Sequence, residues 1–225
     1  MTETVELSAG SARVVIAPAV GGSIAAFECG GQAILRPTPS RALTEGAVRD
    51  FACFPLIPFS NRIADATLHW AGREYALTRY VDAEPHAIHG NGWQRTWSVT
   101  RREASRLAIE LEHDATGVRA REWPFPYRAR QRFDLVVDAS AVRLELGLEI
   151  ENTGGQPFPS AWDGIPISIA TKRPSSVSRR AASGTPMLRA CRHGSTRYRR
   201  SGISIRRVPS VPASSITALP AGGGR

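Results

Sequence analysis

No uninterrupted apolar run in the chain approaches the ~18 residues that a membrane-crossing helix needs, so nothing in the sequence reads as spanning a bilayer. Cysteine is sparse: Cys29, Cys53 and Cys191 are odd in number and have no C-x-x-C spacing, so neither a disulfide framework nor a zinc site is indicated. They read as buried thiols. The opening stretch MTETVELSAG lacks the basic start, apolar stretch and small-residue cleavage site of a secretory signal, which places the protein in the cytoplasm. Helical periodicity of useful length is missing too, which argues against an α/β fold. Lysine is absent from the first 160 residues, where seventeen arginines face nineteen acids and leave the body almost neutral. The net charge of +9 therefore resides in residues 161–225, where twelve basic residues from Lys172 to Arg225 face a single acid, Asp163.

What the first 160 residues do contain is alternation. Leu144, Leu146, Leu148 and Ile150 interleave with Glu145, Gly147, Glu149 and Glu151, the pattern of a strand with one dry face. Leu107, Ile109 and Leu111 repeat it, and 128–137 does so in looser register. Asp138-Ala139-Ser140 predicts a hairpin from that third segment into the Leu144 strand. A second hairpin is predicted for Thr67 to Trp70 and Glu74 to Leu77 around the loop Ala71-Gly72-Arg73. Many short strands with frequent turn signals predict an all-β sandwich or barrel. With 42% hydrophobic residues, the chain has material for a real core. After Ser160 the pattern gives way to Ser, Arg, Pro and Gly, as in RPSSVSRRAASG, a composition that cannot offset its ordering entropy by burial. The sequence thus divides into a β-strand region, 1–160, and a basic, irregular and disordered tail, 161–225.

Specific signals lie in FPLIPFSNRIADATLHWAGREYAL and HAIHGNGWQRTWSV. Asn61-Arg62-Ile63, the W-x-G-x-x-Y-x-L pattern at Trp70, Gly72, Tyr75 and Leu77, the Ile88-His89-Gly90 segment and Trp97 follow one another in order. With GGSIAAFECGGQAILRP before them and PYRARQRFDL and Glu151-Asn152-Thr153-Gly154 after, they resemble the aldose 1-epimerase family over residues 5 to 160. The resemblance implies an all-β, galactose-mutarotase-like β-sandwich (a supersandwich), incomplete here. It also implies an isomerase that interconverts the α and β anomers of a hexose or related sugar without metal or organic cofactor. By motif, His89 is then the catalytic histidine of this half, and Asn61 and Arg62 bind the substrate. The residue types suit those roles: an imidazole titrates close to neutrality, and a guanidinium fork can hold two hydroxyls. Read without the family, His89 is a turn residue, Arg62 a strand-end arginine paired with a nearby acid such as Asp65, and His86 a solvated side chain. Trp70, Trp93 and Trp97 read as core residues before they read as sugar-stacking platforms.

Family members follow the N-T-G strand with an H-P-Y-F segment holding a second catalytic histidine. A D-H-C-F-T-G-W segment with a sugar-binding aspartate comes later, and a glutamate base later still. None of these occurs in the 225 residues. Yet the codons of Ala161 to Ile169, read as the third base of one with the first two of the next, can spell L-G-W-H-P-Y-F-H. At the same offset Ser214 to Gly222 can spell V-D-H-C-F-T-G-W. Agreement of the fixed bases at both places, in one frame and in family order, predicts a frameshift between about Pro157 and Ser160. A basic tail is then the out-of-frame reading of a GC-rich gene. The expected partner is a small sugar, with no nucleic acid and no membrane. Two other readings are a carbohydrate-binding protein without turnover and, taking the tail at face value, a nucleic-acid arm whose arginines neutralise phosphates.

Overall fold

The computed structural model describes residues 3–138 and 141–160, and the backbone of 163–166 and 203–207. In chain order the elements are β1 (Val5–Ala9), β2 (Ala12–Ala17), β3 (Ser23–Cys29), β4 (Gln32–Ala33), α1 (Ser40–Glu45), β5 (Cys53–Leu56), β6 (Arg62–Ile63), β7 (Thr67–Trp70) and β8 (Arg73–Ala76). They continue with β9 (Ala87–Ile88), β10 (Ser98–Arg102), β11 (Arg106–His113), β12 (Tyr127–Val137), β13 (Val142–Asn152), β14 (Asp163–Pro166) and β15 (Ile203–Arg207). One sheet runs β1-β2-β3-β5-β14 with β4 on β3, a second runs β10-β11-β12-β13-β15, and β6–β9 and β7–β8 form two-stranded ladders. No helix among the described residues is long and apolar enough to cross a membrane.

The two sheets face each other across one core. Val5, Leu7, Val14, Ile16 and Phe27 of the first meet Leu107, Ile109, Leu111, Phe133 and Leu144 of the second. The first sheet is also covered on its other side, where Val15, Ala17, Ala25 and Phe54 pack against Phe51 and Trp93. A strand buried on both faces reads as a continuous apolar run, which is why β2 is ARVVIA rather than alternating. The second sheet has a wet outer face. There Arg128 and Arg130 lie directly across from Glu112 and Glu110, with ion pairs at 2.7 Å each. Such exposed pairs are worth only about 0.2–1 kcal/mol apiece. They still fix the register, because a slip of one residue would drive the arginines of β12 into the core.

Both predicted hairpins form. Val137 pairs with Val142, and Ala141 N donates to Asp138 Oδ1 at 2.9 Å. The other hairpin closes tighter than expected: Trp70 pairs with Arg73, so the turn is Ala71-Gly72 alone, with φ of 50° and 73°. Two consecutive left-handed residues suit the twist of a two-residue hairpin. Leu146 is only partly buried beside the fully buried Leu144. It lines a narrow cleft between β5 and β13, together with Ile24, Cys53 and Phe133. Cys29 and Cys53 are buried as expected, and burial pushes the Cys53 thiol up to about 12. Cys191 lies outside the described residues. In the region read as an irregular tail, β14 runs antiparallel to β5 and β15 runs parallel to β13. The rest of 161–225, and the disorder expected of it, lie outside the described residues.

Candidate active site

After β5 the chain passes through Ile57-Pro58-Phe59-Ser60 to Asn61, and β6 pairs with β9 so that Arg62 lies opposite Ile88. One residue on, His89 N donates to Asn61 O at 2.9 Å, and Ile57 bridges Gly90. Asn61-Arg62 and His89, far apart in the chain, are thereby joined at one end of a two-rung ladder. Asn61 (φ 63°), His89 (φ 65°) and Gly90 (φ 67°) are all left-handed. Asn and Gly enter that region readily; a histidine there is uncommon and needs support from its surroundings.

Arg62 donates from Nε to Glu84 Oε2 at 2.8 Å and from Nη1 to Asn61 Oδ1 at 3.4 Å. Its side chain is 48% exposed, so the guanidinium is oriented yet open to solvent. The same bond holds the Glu84 carboxyl below the usual carboxylate range. Arg62 does pair with an acid, but that acid is Glu84 and not the Asp65 offered as example, whose N donates instead to His86 Nδ1 at 3.0 Å. His86 is accordingly half-buried rather than solvated. Trp93 and Trp97 are core residues that donate to the carbonyls of Gly90 and Gly92, at 2.9 and 3.0 Å. Trp70 is partly buried and donates to Pro157 O at 3.0 Å.

His89 is half-buried, and its Nδ1 is buried without a hydrogen-bond partner. Burial pulls the imidazole pKa below its ordinary value, the Arg62 charge pulls the same way, and Glu84 opposes them. The ring is therefore neutral at neutral pH, able to donate from one nitrogen and accept at the other. Substitutions of the two charges are expected to act in opposite directions. Arg62→Gln raises the His89 pKa and Glu84→Gln lowers it, as followed by NMR titration of the ring protons; equal movement in both would rule out this electrostatic account.

Behind His89 lies a group that the motifs did not single out. Asn91, fully buried, donates from Nδ2 to Glu122 Oε2 at 3.0 Å and faces His113 Nδ1 at 3.1 Å, while Tyr127 donates its hydroxyl to Asn91 Oδ1 at 2.6 Å. Glu122 also takes Arg95 Nη1 at 2.9 Å. His113 Nε2 lies 2.7 Å from Trp123 O, which can only accept, so Nε2 carries the proton and Nδ1 accepts from Asn91. That tautomer is neutral, and burial lowers the His113 pKa as well.

Both histidines thus have folded pKa values below the ~6.5 of an unfolded chain. Their contribution to stability is present above about pH 6.5 and is lost as pH falls through the folded values. The urea midpoint is expected to drop between about pH 7 and pH 5, and less steeply in His113→Gln. A midpoint unchanged across that window would refute the assignment.

Among the described residues no three His, Cys, Asp or Glu side chains cluster as a metal site. The family model for aldose 1-epimerase matches residues 3–162. The uncharacterized protein YphB of Escherichia coli K12 is 32% identical over 155 residues, covering 68% of this chain and 48% of that protein. The solved structure of a candidate aldose 1-epimerase from the same organism superposes with a TM-score of 0.59 at 31% identity, over 70% of this chain and 49% of the other. The Slr1438 protein of Synechocystis sp. PCC 6803 shares the fold at a TM-score of 0.57 and 20% identity, over 69% and 50%. The chain spans about half the length of these relatives. Its fold is the all-β, galactose-mutarotase-like sandwich, and by the extent of the match over its first 162 residues it belongs to the aldose 1-epimerase family.

Proposed function

We propose that the gene encodes an aldose 1-epimerase interconverting the α and β anomers of a hexose or related sugar, and that these 225 residues carry the first half of its catalytic set. The observation that carries the reading is the junction of Asn61, Arg62 and His89, with the buried His89 Nδ1 unpartnered beside an oriented, solvent-open guanidinium. In the reaction a base takes the proton from the C1 hydroxyl while an acid protonates the ring oxygen. The C1–ring oxygen bond breaks as the C1 carbonyl forms, C1 rotates, and the steps reverse. His89 takes the ring-oxygen role, which suits an imidazole, able both to give and to receive a proton. Arg62, steadied by Glu84, and Asn61 hold sugar hydroxyls. No step needs a metal or an organic cofactor.

The second histidine, the sugar-binding aspartate and the glutamate base belong, in this reading, to the other frame of the same gene. A match that stops at residue 162 and a relative covered to 48% support a frameshift between about Pro157 and Ser160. Because the carboxylate base is missing from the 225 residues, the chain itself is proposed to bind sugar with little or no turnover. Polarimetry on freshly dissolved α-glucose or α-galactose separates the two states. Resequencing the codons for Asn152 to Gly164 tests the frame: an uninterrupted frame there, with no activity from any version of the protein, would leave only a sugar-binding remnant.

A further inference from the structure

His89 is placed by its backbone, since its Nδ1 makes no hydrogen bond, and the backbone it adopts is one that a histidine adopts at a cost. On its N-terminal side the support is the bond from His89 N to Asn61 O. On its C-terminal side Gly90 follows, also left-handed, and then Asn91, whose backbone returns to φ −113° and ψ −11°. The side chain of Asn91, in the loop after β9, reaches the second sheet. It meets His113 at the end of β11, Tyr127 at the start of β12, and Glu122 of the connecting segment.

The amide has only one orientation in this nest. Tyr127 presents a hydroxyl proton to Oδ1, and the two Nδ2 protons go to Glu122 Oε2 and to the unprotonated His113 Nδ1. His113 is itself locked by Trp123 O and stacked on Tyr127 with ring centroids 5.1 Å apart. Arg95, from the segment after Asn91, neutralises Glu122. Each group thus has its hydrogen-bonding role assigned by a neighbour, the condition under which a buried polar network specifies one geometry. We propose that Asn91, clamped by His113, Glu122 and Tyr127, is the positioning residue that holds His89 in its left-handed conformation beside Arg62. It does not touch the reacting atoms; it acts through the two residues that separate it from the imidazole.

The inference rests on the reading of His89 as the working histidine, but its test uses no sugar. Absence of turnover would therefore overturn the functional reading and leave this one standing. The readout is the NMR titration of the His89 ring in the full 225-residue chain and its variants. In Asn91→Leu the His89 pKa is expected to move up toward the ordinary value of about 6.5, because the released loop exposes the ring. Tyr127→Phe, which removes one hydrogen bond of the clamp, and Glu122→Gln, which removes the charge shared by Asn91 and Arg95, are expected to move it the same way by less. Leu144→Ala serves as control: it truncates a fully buried side chain of the same sheet, at the end of β13 remote from Tyr127. This control is expected to lower the melting temperature while leaving the His89 titration where it was. If Asn91→Leu does not fold, Tyr127→Phe and Glu122→Gln decide. The proposal is overturned if those variants titrate at His89 like the parent chain, or if Leu144→Ala shifts His89 as far as they do.

Discussion

Gly90→Ala is expected to leave little folded protein, with a loss of more than about 4 kcal/mol by urea unfolding, the range reserved for changes that a fold cannot absorb. A Cβ built on Gly90 falls on the carbonyl of Ile57 and on Pro58 N, all of them backbone atoms. No rotamer relieves such a clash. The strand end and the His89 loop would have to part, losing the bond from Gly92 N to Ile57 O and, with it, the seat of His89. Gly30→Ala is the matched control, because Gly30 is left-handed too (φ 55°) but has nothing within 4 Å of an added Cβ. Its cost is expected to be only the conformational one, about 1–2 kcal/mol. The difference between the two variants measures the close approach of β5 to the loop. Equal losses would show that the loop yields and that its contact with Ile57 does not fix the site.

That contact is a fact of tertiary structure, and the sequence held only its local half. Ile88-His89-Gly90 was readable as a motif, and so was Asn61-Arg62, because each is contiguous. That the two motifs meet follows from β6 pairing with β9 across more than twenty residues that carry a hairpin of their own. The partner of Arg62 shows the same limit. Asp65 is close in sequence, but the chain turns left-handed at Asp65 and directs it to His86, while Glu84 arrives beside Arg62 on the segment leading into β9. His113 was within reach. It continues the alternation of Leu107, Ile109 and Leu111 by one more step, which puts its ring on the dry face where a polar group needs named partners. Tyr127 starts the next strand on the same face, and Asn91 directly follows the Ile88-His89-Gly90 motif. What the alternation could not supply is the meeting of all three, which depends on β11 and β12 pairing His113 with Tyr127 in register.

Restoring the reading frame is expected to turn a chain with no measurable effect on the approach of α-glucose to anomeric equilibrium into an efficient catalyst of it. In the restored protein, His89→Ala is expected to lower the rate by about 10²–10⁴, the range for one positioned acid or base. The same substitution in the 225-residue chain is expected to change nothing, since groups that act as a unit lose almost everything when one is absent. The backbone supports this expectation. Asp163–Pro166 pairs antiparallel with β5, Gly164 opposite Pro55 and Ile165 opposite Phe54. In the shifted reading it is the codon spanning Gly164 and Ile165 that can spell the histidine of H-P-Y-F. A second histidine would thus enter on the strand beside β5, and β5 is the strand whose continuation carries Asn61 and Arg62. That strand end also meets the His89 loop, through the bridge from Ile57 to Gly90, so the restored frame is expected to bring a second histidine to the strand next to the one on which the His89 loop is seated. Polarimetry of the restored protein, its His89→Ala variant and the 225-residue chain under one protocol decides the matter. Activity in the restored protein that survives His89→Ala undiminished would remove His89 from the mechanism, while activity in the 225-residue chain would remove the need for the frameshift.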